Sequence, residues 1–351
     1  MRTAFLLGGT GQIGRAAARR LVEHGWSVIV GSRSGSLPDG LAELGSKAMR
    51  VDRTTPGELE SAMGDGVDLL VDVVAFTRAH GEQVNGLAGR VGSVVAISSA
   101  SVYADEAGLT LDEATSVETF PRLPVPIAES QRTVEPSDAT YSTEKRALEL
   151  ALLDGPLDAT VVRPCAIHGP GSELPRELYF VKRVLDGRRA VVLVSNGASR
   201  FHTTSVDNLA ELIRLAAERP ASRVLNCGDP EPPSVLEIGR AVGEAMGHVF
   251  EEVLVPEPAY ERRELSNPWA VPVPLVVDMS AAERDIGYRP VTTYAEAVRA
   301  TCAWLAEEAP RRDWTGTYLG KYFDYAAEDV LLQQRAGEGG AGRSPRSQQD
   351  S

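Results

Sequence analysis

Short apolar runs and amphipathic stretches alternate along the first half of the chain. The runs Thr3–Leu7, Ser27–Gly31, Lys47–Val51, Val67–Ala75, Ser93–Ser98 and Ala159–Ile167 are rich in β-branched residues. Most lack strict period-2 alternation, as strands covered on both faces do. Between them, Gln12–His24 and Pro56–Met63 carry helical spacing, and the small and apolar residues of Ser137–Leu153 support another helix. Strand–helix–strand alternation predicts an α/β fold, a doubly wound parallel sheet of the Rossmann type, over residues 1–168. Beyond Gly169 the texture changes. Glu173–Gly187, Asp207–Arg219 and Ser234–Gly247 predict helices, the last opened by a Ser N-cap with Glu237 three residues on. Val191–Val194 and Val224–Cys227 predict short strands. Residues 169–334 are therefore assigned to a smaller, mainly C-terminal α/β substrate-binding region, with some elements returning to the sheet. Pro256–Pro274 reads as a long surface loop. Residues 335–351 hold no large apolar side chain and are expected to form a disordered tail.

Composition narrows the class without changing this picture. The chain has 351 residues, 43% apolar and 24% charged, enough for a sizeable core without staples. Its three cysteines, Cys165, Cys227 and Cys302, form no CxxC pair, and the histidines and carboxylates show no metal-ligand spacing. No metal is expected. The apolar run after Met1 is too short for a signal-peptide core, and no stretch reaches the ~18 apolar residues of a membrane span. A cytoplasmic protein is the expectation, with no membrane partner. A formal charge of −13 repels phosphate backbones, so no nucleic-acid partner is expected either.

Candidate chemistry begins at GGTGQIG, Gly8–Gly14, between the first strand and the first helix. Gly8 permits a tight turn, Gly11 lets the backbone approach a pyrophosphate, and Gly14 lets helix and strand pack closely. The amides and positive dipole end of the helix suit phosphates. Thr10, Gln12 and Ile13 complete this cofactor loop. The second strand ends in Ser32 and Arg33, where an NAD site usually carries an acid. A hydroxyl and a guanidinium suit a 2′-phosphate, so NADP is expected, with NAD the second choice. Asp52, after the third strand, is placed to meet the adenine. Tyr141 and Lys145 stand four apart on the helix of Ser137–Leu153, on one face. A lysine ammonium there is expected to lower the pKa of the phenol and make it a usable acid/base. Ser99, at the end of the fifth strand, can hydrogen-bond the substrate oxygen.

In order, Gly8–Gly14, Ser98-Ser99-Ala100-Ser101-Val102-Tyr103, Tyr141-Ser142-Thr143-Glu144-Lys145 and Arg163-Pro164 with Gly169-Pro170 resemble an extended short-chain dehydrogenase/reductase of the NAD-dependent epimerase/dehydratase type. The similarity covers roughly residues 3–305. It implies Tyr141 as acid/base, Lys145 as charge and ribose ligand, and Ser99 as the polarising hydroxyl. It also implies Ala75 and Pro164 as cofactor contacts, and a small-molecule substrate near Ser101, His168 and Arg200. Relatives of this kind often pair as homodimers through the helices before and containing the YxxxK segment. Departures from the pattern narrow the chemistry. Ala100 and Ser101 stand where dehydratases resemble one another in an Asp-Glu pair. Arg200 matches the first of two diphosphate-binding arginines, but Pro268–Pro274 supplies no second, leaving Arg262 or Arg263 as upstream replacements. A less charged, more apolar substrate is expected, with Phe201 or Trp269 against it. The leading expectation is an NADP-preferring reductase or epimerase moving hydride at a carbonyl or carbinol carbon. The alternative is a catalytically idle dinucleotide-binding sensor or RNA-binding scaffold.

Overall fold

The computed structural model describes residues 1–38 and 40–341. Seven parallel strands form one sheet in the order β10-β6-β5-β4-β1-β2-β3. They are β1 (Thr3–Leu7), β2 (Ser27–Ser32), β3 (Lys47–Arg50), β4 (Val67–Asp72), β5 (Val91–Ile97), β6 (Asp158–Pro164) and β10 (Arg223–Cys227). The order reverses between β1 and β4, which opens a crevice at the carboxyl edge. Along β1, Ala4 and Leu6 face one core while Phe5 and Leu7 face the other. That two-sided burial is why the strands read as apolar runs rather than alternating ones. On one face pack α1 (Gln12–Glu23), α6 (Val206–Glu218) and α8 (Ser280–Ile286). On the other lie α2 (Glu58–Ala62), α3 (Arg78–Asn85) and α4 (Tyr141–Leu153).

The chain between β6 and the end builds a second cluster over the carboxyl edge. Two parallel ribbons form there, β7 (Ala166–His168) with β9 (Thr203–Ser205), and β8 (Ala190–Leu193) with β11 (Glu251–Leu254). Their core joins α5 (Leu178–Leu185), α7 (Val235–Ala245) and α9 (Tyr294–Glu308) around Phe180 and the fully buried Trp269. The Ser234–Glu237 capping box opens α7. The segment Pro256–Pro274, expected as a surface loop, is in part buried: Arg263–Leu265 forms a single 3₁₀ turn, and Leu265, Asn267 and Trp269 are buried.

Other expectations are corrected too. The run Ala159–Ile167 is not one strand: after Pro164, Cys165 donates to the Thr204 hydroxyl at 3.1 Å and Ala166 to the His202 carbonyl at 2.9 Å. The chain thus leaves the large sheet for the β7–β9 ribbon. The tail is not irregular from residue 335. Helix α10 (Ala326–Ala341) runs through that point, and the Arg335 guanidinium donates to the Leu254 carbonyl at 2.7 Å. The remainder of the expected tail, residues 342–351, lies outside the described residues.

Candidate active site

Between the carboxyl edge of the sheet and the second cluster lies a cleft of about 690 Å³. Gly8, Gly11, Gln12 and Ile13 line one side, and Ser99, Ser101, Tyr141 and Pro164 line the floor. The glycine loop is fixed by sterics. Gly8 turns the chain out of β1 at φ +83°, and a Cβ on Gly14 would stand 2.4 Å from the Gly9 Cα. Gly11 differs, because its added Cβ would meet only the Gly8 carbonyl, at 3.7 Å. Its open side faces the cleft. Gly11 caps α1 without any side-chain hydrogen bond, so the first amides of that helix point at the cleft without a protein acceptor among the described residues. Such a cradle fits a pyrophosphate. The Gln12 Oε1 and Ser101 Oγ are buried without partners beside it. Thr10 holds the loop's outer turn, its carbonyl accepting from Arg15 Nε at 2.7 Å.

Farther along the edge, Ser32 is buried and its hydroxyl accepts from the Gly35 amide at 3.1 Å. The hydroxyls of Ser32, Ser34 and Ser36 form a chain of 3.2 and 2.6 Å contacts. Arg33 is exposed beside them and makes no ion pair among the described residues. Asp52 is engaged locally: its carboxylate accepts from the Thr54 hydroxyl at 2.7 Å and amide at 3.0 Å. Those bonds, with smaller help from Arg33 and Arg50, hold its carboxyl below the usual range.

Tyr141 is the first residue of α4, and Thr140 and Thr143 close the capping box that starts the helix there. Its ring meets Phe76 at 5.3 Å between centroids. Lys145 is buried on the same face, its Nζ 5.9 Å from the Tyr141 ring centroid. The ammonium donates to the carbonyls of Ala75 at 2.7 Å and Ile97 at 3.0 Å, bridging the ends of two strands. Burial pulls the Lys145 ammonium down to about 8, against the opposing charges of Asp72 and Glu149. The phenol does not behave as the i,i+4 spacing predicts. Partial burial pushes Tyr141 above its ordinary value, the Ser99 hydroxyl opposes this, and the Asp112 carboxylate adds to it. The lysine charge is directed at backbone carbonyls and the ring face rather than at the hydroxyl. Ser99 follows β5, its hydroxyl accepting from the Ser101 amide at 3.1 Å.

Behind this floor, sequence reasoning missed Glu149. It lies one turn past Lys145, and its carboxylate accepts from Ser98 Oγ at 2.6 Å and from Arg163 at 2.8 and 2.6 Å. A Glu four residues after the lysine was the available signal.

His168 and Arg200 stand outside the cleft wall. His168 is fully buried, with Nε2 2.9 Å from Asp229 Oδ2 and its ring against Tyr294. Arg200 donates to the Pro232 carbonyl and pairs with Glu237 at 3.3 Å, on the first turn of α7. Arg262 pairs with Glu264, and Arg263 donates to the Thr115 carbonyl. None of these four basic or imidazole groups lines the cleft. Phe201 does line it, whereas Trp269 is in the core. Among the described residues no group of three His, Cys, Asp or Glu could hold a metal, and no helix is long and apolar enough to cross a membrane.

A doubly wound sheet with a phosphate cradle at its switch point defines a dinucleotide-dependent α/β protein. The sequence model of the NAD dependent epimerase/dehydratase family matches residues 4–228, and the chain belongs to that family. It is accordingly an NAD(P)-dependent enzyme of the oxidoreductase and epimerase type. It is 28% identical over 342 residues to a 2-alkyl-3-oxoalkanoate reductase of Stenotrophomonas maltophilia, covering 84% of this chain and 97% of that protein. UDP-N-acetylglucosamine 4-epimerase from Bacillus cereus shares its fold, with a TM-score of 0.67 at 18% identity, over 88% of this chain and 100% of that one. UDP-glucose 4-epimerase from Bifidobacterium longum, solved in complex with NAD+ and UDP, gives a TM-score of 0.64 at 18% identity, over 88% and 99% of the two chains.

Proposed function

We propose that the protein is a reductase that uses NADP to interconvert a carbonyl and a carbinol carbon of a small, largely apolar molecule, with Tyr141 as the proton donor. One observation carries this reading: Ser99 and Tyr141 share the cleft with the glycine cradle, over the buried Lys145. The loop Gly8–Gly14 and the amides of α1 would hold the pyrophosphate, and Ser32 and Arg33 the 2′-phosphate. Nicotinamide supplies or accepts the hydride. Ser99 orients the substrate oxygen by hydrogen bond. A Tyr141 pKa above its ordinary value keeps the phenol protonated at neutral pH, as a donor to that oxygen requires. Lys145, charged beneath the ring, stabilises the phenolate left behind.

The reduction reading is favoured over turnover of a nucleotide sugar by what the cleft lacks. Arg200 is committed to α7, and neither Arg262 nor Arg263 lines the cleft, so among the described residues no paired-arginine clamp for a diphosphate stands in its wall. Val73, Val74, Leu111, Ile167, Leu174 and Phe201 line it instead. The named activity of the 28% relative is reduction of an alkyl-substituted oxo acid, which suits such walls.

The test is NADPH consumption with a panel of 3-oxo acids and their esters, together with chromatographic detection of epimers formed from UDP-sugars, for wild type and Tyr141→Phe. The variant should still bind NADPH and lose roughly 10²–10⁴-fold in turnover of oxo compounds. Retention of more than about a tenth of the rate, or turnover of UDP-sugars alone, refutes the assignment.

A further inference from the structure

One cation in the cleft wall is left unused by the chemistry above. Arg176 lies in the loop between β7 and α5, after Leu174-Pro175, and lines the same cleft as Ser99 and Tyr141. Elsewhere in the chain, arginines drawn into the interior meet carboxylates. Arg53 pairs with Asp72 at 2.8 Å, Arg163 with Glu149 at 2.6 Å, and Arg183 with Glu328. Arg176 makes no ion pair and no side-chain hydrogen bond among the described residues. Its contact is the Phe201 ring, with the guanidinium carbon 5.4 Å from the centroid.

The neighbouring carboxyl makes no ion pair with it. Glu177 is buried, and the Tyr294 hydroxyl donates to it at 3.4 Å. Burial raises the Glu177 carboxyl toward its neutral form, with His168 and Arg176 opposing. Burial likewise lowers the Arg176 guanidinium, with the Glu177 charge opposing. Arg176 is half-buried, so its guanidinium is partly desolvated and has no ion-pair partner among the described residues. The Arg176 nitrogens are not sealed in the interior and can be reached from the cleft side.

The other lining groups define the charge and shape of a partner for it. Among the described residues Arg176 is the one basic residue in the cleft lining, and Glu173 is an exposed acid in that lining. A single guanidinium matches a singly charged carboxylate, which it can bind with two parallel N–H···O bonds. It is a poor match for a diphosphate, which carries more charge and brings more acceptors. The remaining walls are apolar. Building on the oxidoreductase reading, we propose that Arg176 anchors the carboxylate of an alkyl-chain acid whose reacting carbon lies against Ser99 and Tyr141. The apolar chain then runs along Leu111, Ile167, Leu174 and Phe201.

Calorimetric titration with 3-hydroxydecanoate and its methyl ester, in the presence and absence of NADP, tests this without requiring turnover. Wild type should prefer the acid. Loss of one charge-assisted contact, about 1.5–3 kcal/mol, predicts that Arg176→Gln weakens the acid by roughly 10- to 150-fold and brings it level with the ester. Arg176→Lys should fall between, since it keeps the charge without the fork. Thermal unfolding and NADPH affinity show that each variant is folded. If wild type binds acid and ester alike, or Arg176→Gln keeps the acid preference, or acid and ester are lost together with NADPH affinity intact, the anchor is refuted. If the acid preference depends on Arg176 but no protein oxidises the alcohol, the anchor stands and the reductase reading fails.

Discussion

Arg33 illustrates how one side chain can decide between cofactors. It stands exposed beside the Ser32–Ser34–Ser36 hydroxyl chain, at the end of the strand next to the glycine cradle. No acid of its own strand competes, and Asp52 is held by Thr54. Arg33→Ala should weaken NADPH by roughly 10- to 150-fold and NADH by only a few-fold. Ser32→Asp should reverse the preference, by repelling the phosphate and accepting from the free ribose hydroxyls. Fluorescence titration of both cofactors decides it, and equal weakening of both by Arg33→Ala sinks the NADP assignment. Lys145 sets a second residue-scale expectation. Its ammonium is drawn down to about 8 by burial, so its charge is present below that pH and lost above it. The reduction rate should therefore be level at neutral pH and fall as pH rises through about 8. Lys145→Met should be slow throughout and lose that inflection, whereas a wild-type rate unchanged well past that pH denies the lysine its role.

At the scale of elements, α4 matters because it carries Tyr141 and Lys145 and must be held in register with the end of β5. Glu149 does this. Its carboxylate takes hydrogen bonds from Ser98 on the β5 end, Arg163 on β6 and Arg146 on α4 itself. Burial would raise its carboxyl, but these donors hold it below the usual range. Glu149→Gln strips the partner from a buried guanidinium and should destabilise by roughly 3–5 kcal/mol. A denaturation midpoint within experimental error of wild type would show that Arg163 finds compensation elsewhere. This network was only half legible in the sequence. The strand–helix alternation, the glycine cradle and the Tyr141–Lys145 face were readable because each is local, fixed by period or by spacing. What lay beyond was set by partners distant in sequence. β6 and β7 read as one run because β-branched character persists across Pro164 and Cys165, whereas the break depends on Thr204 and His202. α5 begins at Leu178, not Glu173, because Pro175 sits in the preceding turn. Arg176 belongs to no motif that would single it out in the sequence, and only the fold brings it to the cleft. The end of α10, from residue 335, passed for a tail because its sequence there holds Ala, Gly and Glu and no large apolar side chain.

Across the whole molecule, the sheet and the second cluster meet at Asp229, just past β10. Its carboxylate gathers the Ser205 amide at 2.8 Å, the Thr203 hydroxyl at 2.6 Å, Asn208 Nδ2 at 2.8 Å and His168 Nε2 at 2.9 Å. These donors come from β7, β9 and α6, so one buried group ties the ribbon under the cleft to the edge of the large sheet. Burial would raise Asp229, yet His168, Thr203 and Ser205 hold it down at about 2. For His168 burial acts downward, and Asp229 outweighs it, leaving the imidazole above its ordinary value. The signs follow from linkage. A depressed carboxyl contributes stability that is present above its unfolded value near 3.8 and is lost as pH falls toward about 2. A raised imidazole contributes stability that is present below its unfolded value of 6.5 and is lost as pH rises through its folded one. The interface should thus be firmest in the window between, at mildly acidic pH. Urea midpoints measured from about pH 2.5 to about pH 9 should rise on leaving acid and decline beyond neutrality, with the acid limb worth roughly 2 kcal/mol. Asp229→Asn should flatten both limbs, since the imidazole then loses the charge that raises it. A variant that is merely less stable, with both limbs intact, would place the pH dependence elsewhere in the molecule.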